Sequence, residues 1–334
     1  MVSRIIKSIH TPEPYMTITW QVNNFCNYSC SYCNPGNWMG DNINEEPVEQ
    51  YIASLDRIIA KYVDIGYKHF KFFFSGGEPT AWKNFLPICE HLKTVLPDCT
   101  IAVNTNLSRP LKWWEQTFHL FDDVVASYHI EYVKNDRYLE NSIFLCDKLN
   151  YLSSKMLLHD DRFWEVVEYG NMLKDFMPNY FIEWTPLFDE MTADASPWEY
   201  SDPDKAKFIE EHSIEQQTTI DKPYKDSGVV SYTKYSDGTK VPCNSNDIIV
   251  NRENFFRGWE CDIGDSLFIS PDGRVSMASC GVQAPLGHIL KDPDNIGPRT
   301  VKCTKYHCHC GTDIIIPKRK MELPTDEVLA IGID

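Results

Sequence analysis

CNYSCSYC, residues 26–33, is the stretch that decides the fold, because it places three cysteines directly after an apolar, strand-like run from Met16 to Val22. The spacing is Cys26-x3-Cys30-x2-Cys33. A structural zinc site normally has four protein ligands, whereas an iron-sulfur cluster bound by three cysteines leaves one iron free for another ligand. The pattern therefore indicates a metal centre with one open coordination position.

A second motif, SGGEPT, lies at Ser75–Thr80 after the next strand-like run. Gly76 and Gly77 allow another group to approach the backbone closely, because neither carries a side chain. Glu78 could instead be an ordinary acid at a helix N-terminus. The three cysteines alone also allow half of a zinc site completed by a distant histidine, or a chance cluster. A zinc site has no use for the glycine motif, so the two motifs together favour an iron-sulfur cluster.

The order and spacing of the two motifs resemble the radical S-adenosylmethionine (SAM) superfamily. The resemblance implies that Cys26, Cys30 and Cys33 hold a [4Fe-4S] cluster whose remaining iron binds the amino and carboxylate groups of SAM. Electron transfer then cleaves SAM to a 5'-deoxyadenosyl radical, which abstracts a hydrogen atom from the substrate. In the family, the glycine segment meets the methionyl amino group, and an aromatic residue commonly precedes the last cysteine. The residues in these places are Tyr32, Ser75, Gly76, Gly77 and Glu78.

Composition narrows the classes of protein and of partner. The chain has 334 residues, a formal net charge of -16 and 12 cysteines. The acidic balance argues against unspecific binding to nucleic acid, which depends on Lys and Arg. No apolar run reaches the roughly 18 residues of a membrane span, and the segment MVSRIIKSIH lacks the apolar core of a secretory signal. We therefore expect a cytoplasmic protein whose cysteines stay reduced and bind metal.

Strand-like and helical runs alternate between residues 16 and 187, which predicts parallel strands joined by crossover helices. The predicted strands are Met16–Val22, His69–Ser75, Thr100–Asn106, Asp122–Glu131, Ser154–His159 and Tyr180–Leu187. The predicted helices are Val48–Tyr67, Trp82–Leu96, Lys112–Phe121, Asp136–Leu152 and Arg162–Met177. These repeats suit an α/β partial (β/α)6 TIM-like barrel, the core architecture that the resemblance also implies.

One face of the predicted sheet is polar in strand after strand, because alternate side chains point to opposite faces. In the fourth strand, Ser127, His129 and Glu131 share this face. A substrate-filled lumen explains the pattern, since α/β folds bind ligands at the carboxyl ends of strands, and a half-exposed sheet is the alternative. We assign Asn104, Asn106 and Ser127 to cofactor contact, Ser127 because it matches a position that often contacts SAM in related enzymes. His129, which titrates near neutral pH in ordinary surroundings, and Glu131 are the candidate catalytic residues, for substrate contact or proton transfer. A structural role for His129 is the alternative.

A second group of cysteines follows residue 255. SLFIS and RVSM flank Pro271-Asp272-Gly273, which predicts a β-hairpin. With the GWEC and LGHI segments, this region resembles the SPASM/twitch extensions of radical SAM enzymes, which carry auxiliary [4Fe-4S] clusters. One auxiliary cluster with one thiol left over is expected, and zinc, with His307 or His309 as further ligands, is the alternative. The candidate ligands are Cys261, Cys280, Cys303, Cys308 and Cys310.

The expected organisation is a radical SAM core over residues 1–190, an irregular linker or cap over 191–250, and a small cysteine-rich auxiliary-cluster domain over 251–334. The resemblance implies an enzyme that oxidises or rearranges a peptide or small-molecule substrate. It also implies an external electron donor such as flavodoxin or ferredoxin. A noncatalytic iron-sulfur or zinc protein, acting as a redox module or scaffold, is the alternative from another class.

Overall fold

The computed structural model describes residues 5–33, 40, 45–177, 180–187, 198–218, 231–243, 245–308 and 310–320. The strands are β1 Ile6–His10, β2 Tyr15–Gln21, β3 His69–Ser75, β4 Thr100–Thr105, β5 Asp123–Tyr128, β6 Tyr151–Leu158, β7 Phe181–Pro186, β8 Tyr232–Tyr235, β9 Lys240–Pro242, β10 Glu260–Cys261, β11 Ser266–Ile269, β12 Arg274–Met277, β13 Gly287–His288, β14 Val301–Lys302 and β15 Lys318–Arg319. The α-helices are α1 Val48–Asp64, α2 Phe85–Val95, α3 Leu111–Thr117, α4 Asn135–Cys146, α5 Phe163–Phe176, α6 Pro203–Thr218, α7 Ser245–Val250 and α8 Gly311–Ile314.

The larger of two sheets has nine strands in the order β13-β12-β11-β2-β3-β4-β5-β6-β7. Strands β2 to β7 are parallel and pair in chain order. Helices α1 to α6 follow these strands in turn, as parallel connections require. The sheet ends at β13 and β7 and is therefore not closed. The α/β class and the unclosed parallel unit that the sequence predicts are confirmed.

Alternation along the strands and helical spacing explain how the sheet and helices pack. In β3, Phe70, Phe72 and Phe74 point to one face and are buried in the main core. In α1, Leu55 and Ile58 lie on the buried face of the helix and belong to the same core. Apolar positions two residues apart in the strand and three or four apart in the helix thus meet in one layer. The opposite, more polar face of the sheet is left for the site.

One predicted strand ends three residues earlier than expected. The strand predicted to reach Glu131 ends at Tyr128, because the main-chain oxygen of His129 accepts hydrogen bonds from the N–H groups of Tyr132 and Val133, 3.0 and 2.9 Å away, which turns the chain. His129 and Glu131 therefore lie in the loop after β5 and not on its polar face. The prediction that they share a strand face with Ser127 is wrong.

The predicted C-terminal hairpin is present and extends the larger sheet. Strands β11 and β12 pair antiparallel across the Pro271-Asp272-Gly273 turn, where Gly273 has a φ of 79°. Strand β11 also pairs in parallel with β2, the strand that leads into the first cysteine motif. Within the described residues, no helix has both the length and the apolar character needed to cross a bilayer.

The smaller sheet is antiparallel, with the order β14-β10-β15-β1-β8-β9. It joins an early segment of the chain to segments of the second half and has its own small core, formed by Ile6, Ile9, Tyr235, Ile248, Phe256, Trp259 and Ile314. The sequence pattern predicts neither β1 nor β8 and β9, because these strands are short and mix apolar with polar residues. The boundary expected at 190/191 lies outside the described residues, and the division into three domains stays a prediction.

Candidate functional site

Polar side chains on one face of the parallel sheet contact each other between strands. Ser127 Oγ donates a hydrogen bond to Asn104 Oδ1 at 3.0 Å. Toward the opposite ends of the strands, Lys71 Nζ and Asp123 Oδ2 form an ion pair at 3.0 Å. The structure therefore brings Asn104 and Ser127 together as the alternation predicts, and their contact with a cofactor stays a prediction.

The first cysteine loop is bonded directly to the glycine turn after β3. The N–H of Gly77 donates to the main-chain oxygen and to Oδ1 of Asn23, each at 3.2 Å. Asn23 Nδ2 donates to the main-chain oxygen of Glu78 at 3.2 Å, and the N–H of Glu78 donates to the main-chain oxygen of Phe25 at 2.8 Å. These bonds hold the two sequence motifs together although 54 residues separate Asn23 from Gly77.

Gly76 is required by its conformation and by its surroundings. Its φ of 137° lies in a region that residues with a side chain rarely adopt. A Cβ at this position would lie 2.6 Å from the main-chain oxygen of Asn23. Next to it, the main-chain oxygen of Ser75 accepts a hydrogen bond from the N–H of Val22 at 2.9 Å. The group that approaches Gly76 in this structure is therefore the cysteine loop itself.

Glu78 is 1% exposed and its carboxylate is engaged by the protein. It accepts hydrogen bonds from N and Oγ1 of Thr80 at 3.0 and 2.7 Å, from Thr105 Oγ1 at 2.8 Å and from the N–H of Asn106 at 2.8 Å. Burial raises the pKa of Glu78, and these hydrogen bonds oppose that change. The carboxylate thus ties the glycine turn to the end of β4, and direct contact of Glu78 with a cofactor stays a prediction.

The thiols of Cys26, Cys30 and Cys33 lie close enough to affect each other. Burial, together with the neighbouring thiols, raises the pKa of Cys26 to about 11 and that of Cys30 to about 12. Cys26 Sγ accepts hydrogen bonds from the N–H of Tyr28 at 3.3 Å and from Asn106 Nδ2 at 3.8 Å. A metal centre would bind these groups as thiolates and release their protons. The structure therefore brings Asn106 to the first cysteine as well.

Tyr32 and His129 form a contact beside the cysteines. Tyr32 Oη and His129 Nδ1 are 3.0 Å apart, and the two rings stack with their centroids 5.9 Å apart. Burial lowers the pKa of His129 to about 4, although Glu131 opposes this change. His129 is therefore neutral at pH 7, and the expectation that it titrates near neutral pH is wrong. A catalytic role for His129 stays a prediction.

Glu131 holds the cysteine loop through both carboxylate oxygens. The N–H and the Oγ of Ser31 donate hydrogen bonds to it at 2.7 and 2.6 Å. Burial alone would raise the pKa of Glu131, but the bonds from Ser31 and the nearby His159, 3.3 Å away, hold that pKa below its usual range. Glu131 is thus an anion that positions the loop, and its predicted catalytic role remains untested.

Two residues of this site are absent from the sequence-based prediction. Asn23 bonds the glycine turn, and His159, directly after β6, contacts Glu131. His159 could have been found by its place after the carboxyl end of a strand, the rule that identified the other site residues. Asn23, which directly follows the predicted strand Met16–Val22, could have been found by the same rule, although its partner Gly77 is distant in the chain.

Four of the five C-terminal cysteines line one cavity: Cys261, Cys280, Cys303 and Cys308. Cys310 does not line it. Its Sγ is 2.9 Å from Thr312 Oγ1, at the start of α8. Which of the five cysteines would bind an auxiliary cluster stays a prediction. His309 lies outside the described residues, while His307 also lines the cavity.

Main-chain hydrogen bonds hold the segments that line this cavity, and burial changes the pKa of its thiols. The N–H of Cys303 donates to the main-chain oxygen of Trp259 at 2.8 Å, which fixes the Cys303 segment against the residues that lead into β10. Burial raises the pKa of Cys261 and of Cys308 to about 12, and the neighbouring Cys280 raises both further. In the described part of the chain, no three Cys, His, Asp or Glu side chains approach closely enough to hold a single metal ion.

Both groups of thiols fit the cofactors that the sequence resemblance implies. Soft thiolate ligands suit iron-sulfur clusters, and three such donors leave one iron open at the first group. At the second group, four thiols around one cavity match the number of ligands of a complete cluster.

Part of this chain matches one family model, and the chain is also similar to curated proteins and to solved structures. Residues 20–139, from β2 into α4, match the family model described as "Radical SAM superfamily". The GTP 3',8-cyclase of Actinobacillus pleuropneumoniae serotype 5b (strain L20) is 26% identical over 118 residues, which are 34% of this chain and 33% of that protein. The radical SAM cyclopropyl synthase TigE of Paramaledivibacter caminithermalis is 26% identical over 201 residues, 53% of this chain and 42% of that protein.

The chain therefore spans 33% to 42% of the length of these curated relatives. Among solved structures, it is similar to "Native anSMEcpe with bound AdoMet", with 15% sequence identity and a TM-score of 0.49 over 83% of this chain and 79% of that chain.

Proposed function

We propose that this chain, which carries a radical SAM domain over residues 20–139, is an enzyme that reductively cleaves SAM and abstracts a hydrogen atom from a peptide or small-molecule substrate. The observation that carries the proposal is the bonding of the Cys26–Cys33 loop to the Gly76–Glu78 turn through Asn23. This arrangement packs the cysteine loop against the glycine turn at the carboxyl ends of parallel strands, where α/β folds bind ligands.

The residues of the chain have distinct proposed roles. Cys26, Cys30 and Cys33 would hold a [4Fe-4S] cluster that, with SAM bound, supplies one-electron reduction and a carbon-centred radical. Asn106 and Glu131 keep the cysteine loop in position, through Cys26 Sγ and Ser31 respectively. The polar face with Asn104 and Ser127 would contact SAM and the substrate. The protein thereby orients one C–H bond and excludes competing reactions.

We also propose that Cys261, Cys280, Cys303 and Cys308 hold one auxiliary [4Fe-4S] cluster. Their common cavity and their mutual effects on pKa support this assignment. Such a cluster would accept the electron released when the substrate radical is oxidised to product, or it would anchor the substrate. Electrons would enter from an external flavodoxin or ferredoxin. The reducing cytoplasm is the proposed location, because the chain's cysteines are free thiols.

Anaerobic reconstitution followed by dithionite and SAM tests the proposal. We expect 5'-deoxyadenosine to form, Cys30→Ala to abolish it, and the matched variant Cys146→Ala to retain it. In the same preparations, Cys280→Ala should lose the iron of one cluster, and Cys310→Ala should keep it. If the wild-type protein binds iron but forms no 5'-deoxyadenosine, the chain is a noncatalytic redox or scaffold protein. Zinc in place of iron at the second group would contradict the auxiliary cluster.

A further inference from the structure

Lys318 is a charged residue buried beside the second cysteine cavity. It is 3% exposed, and it lines the cavity together with the four cysteines. In the antiparallel register of β15 and β10, Lys318 lies directly opposite Cys261. Residues directly opposite each other on such strands project from the same face of the sheet. The side chain of Lys318 is therefore on the same side of the sheet as the thiol of Cys261.

Neutral groups satisfy the hydrogen bonds of this ammonium group. Lys318 Nζ donates to the main-chain oxygens of Asp313 at 2.7 Å and of Ile314 at 2.9 Å, and it lies 4.7 Å from the centre of the Phe256 ring. The carboxylate of Asp313 is itself engaged elsewhere, because it accepts a hydrogen bond from Ser279 Oγ at 2.8 Å. The geometry thus fixes the position of the ammonium group without a hydrogen bond to this carboxylate, although the Asp313 carboxylate is close enough for Lys318 to lower its pKa.

A buried positive charge is costly unless a negative charge lies nearby. The thiols that share the cavity can provide that charge, because they bind iron as thiolates. Lys318 lines the same cavity as these thiols and lies opposite Cys261 in the strand register. The lysine and the thiolates therefore stabilise each other.

We propose that Lys318 is a built-in countercharge of the auxiliary cluster and raises the reduction potential of that cluster. The inference rests on the auxiliary cluster proposed above. Reduction adds one negative charge to a cluster, so a fixed positive charge beside it favours the reduced form. Lys318 touches no substrate in this scheme and acts through the cluster alone. The site would thereby hold a more easily reduced cluster than its four cysteines alone would give.

Redox titration of the reconstituted full-length protein, followed by electron paramagnetic resonance, tests the proposal. Lys318→Gln removes the charge and keeps a donor for the two carbonyls, whereas Lys318→Arg keeps the charge. We expect the auxiliary midpoint potential to fall in the Gln variant and to stay near the wild-type value in the Arg variant. The core cluster should keep its potential in both. Lys320→Gln, at an exposed lysine two positions further on, is the matched control and should leave both potentials unchanged.

Three results would overturn the proposal. The first is an auxiliary potential that is equal in the wild-type and Gln proteins. The second is loss of the auxiliary iron from both the Gln and the Arg variants, which would assign Lys318 to packing alone; loss from the Gln variant only would support the countercharge. The third is a wild-type protein with one cluster only, which would remove the auxiliary cluster itself and is recognised before any variant is made.

Discussion

At the scale of single residues, polar atoms near the first cysteine motif hold loops together. The carboxylate of Glu78 accepts hydrogen bonds from Thr80, Thr105 and Asn106. The carboxylate of Glu131 accepts hydrogen bonds from Ser31. A buried carboxylate such as that of Glu78 is stable only when its acceptor positions are filled. Much of the polar sequence around the motifs therefore serves to place the thiols.

Gly76→Ala should disable the site through backbone geometry. The new Cβ would lie 2.6 Å from the main-chain oxygen of Asn23, at a φ of 137°. A side chain in such a conformation costs about 1–3 kcal/mol before any overlap. We expect the cysteine loop to be displaced and the rate of 5'-deoxyadenosine formation to fall by about 100-fold or more.

Gly66→Ala is the matched control for this change. Gly66 also has a positive φ, of 98°, but a Cβ there would meet no atom within 4 Å. We expect a modest loss of stability with SAM cleavage retained. Equal loss of SAM cleavage in the two variants would show that the contact with Asn23 is not what matters.

At the scale of elements, the sequence pattern predicts the parallel strands but not the conformation of the loops that follow them. HFKFFFS in β3 alternates clearly, and its bounds are those that the sequence predicts. The sequence pattern places the end of β5 too late, because the alternation of side chains continues through His129 although the carbonyl of His129 starts a turn. Four thiols in one cavity could not be derived from spacing, since Cys261 and Cys308 are brought together only by the folding of distant strands. Cys310 is only two residues from Cys308 but does not line the cavity, so the spacing of the cysteines does not identify the four thiols.

Gly170→Ala tests how closely α5 packs on β7. Alanine in a helix is normally about 1 kcal/mol more favourable than glycine. Here the added Cβ would lie 2.4 Å from Cη2 of Trp184, and overpacking of a core costs about 1–3 kcal/mol. We therefore expect the midpoint of urea unfolding to fall. In a Trp184→Phe background, which lacks that part of the ring, the same change should no longer destabilise the protein.

At the scale of the whole molecule, the start of the parallel unit is bonded to the C-terminal region. Tyr62 Oη, in α1, donates to the main-chain oxygen of Gly264 at 2.8 Å, and Tyr67 Oη donates to Asp265 Oδ1 at 2.6 Å. Burial raises the pKa of Asp265 to about 6, although the bond from Tyr67 opposes this change. Stability at this junction therefore depends on pH.

Asp265→Asn should reveal that dependence. The folded state binds the Asp265 proton more tightly than the unfolded state does. Protonation of Asp265 therefore adds to the free energy of unfolding at low pH, and this contribution is lost as pH rises through about 6. Between about pH 5.5 and about pH 7.5, we expect the wild-type protein to lose roughly 1 kcal/mol of unfolding free energy relative to the variant. Urea titrations at the two pH values measure this difference. Asp98→Asn, at an exposed acid, is the control and should keep the wild-type slope.

The pairing of β11 with β2 has a consequence for solubility. Without β11, strand β2 would be the edge of the sheet and would present unpaired N–H and C=O groups, which can recruit strands from other molecules. The sheet instead ends in β13, which is only two residues long, Gly287–His288, and offers little template for such pairing. The C-terminal cysteine region therefore also protects the molecule against aggregation, independently of any metal that it binds.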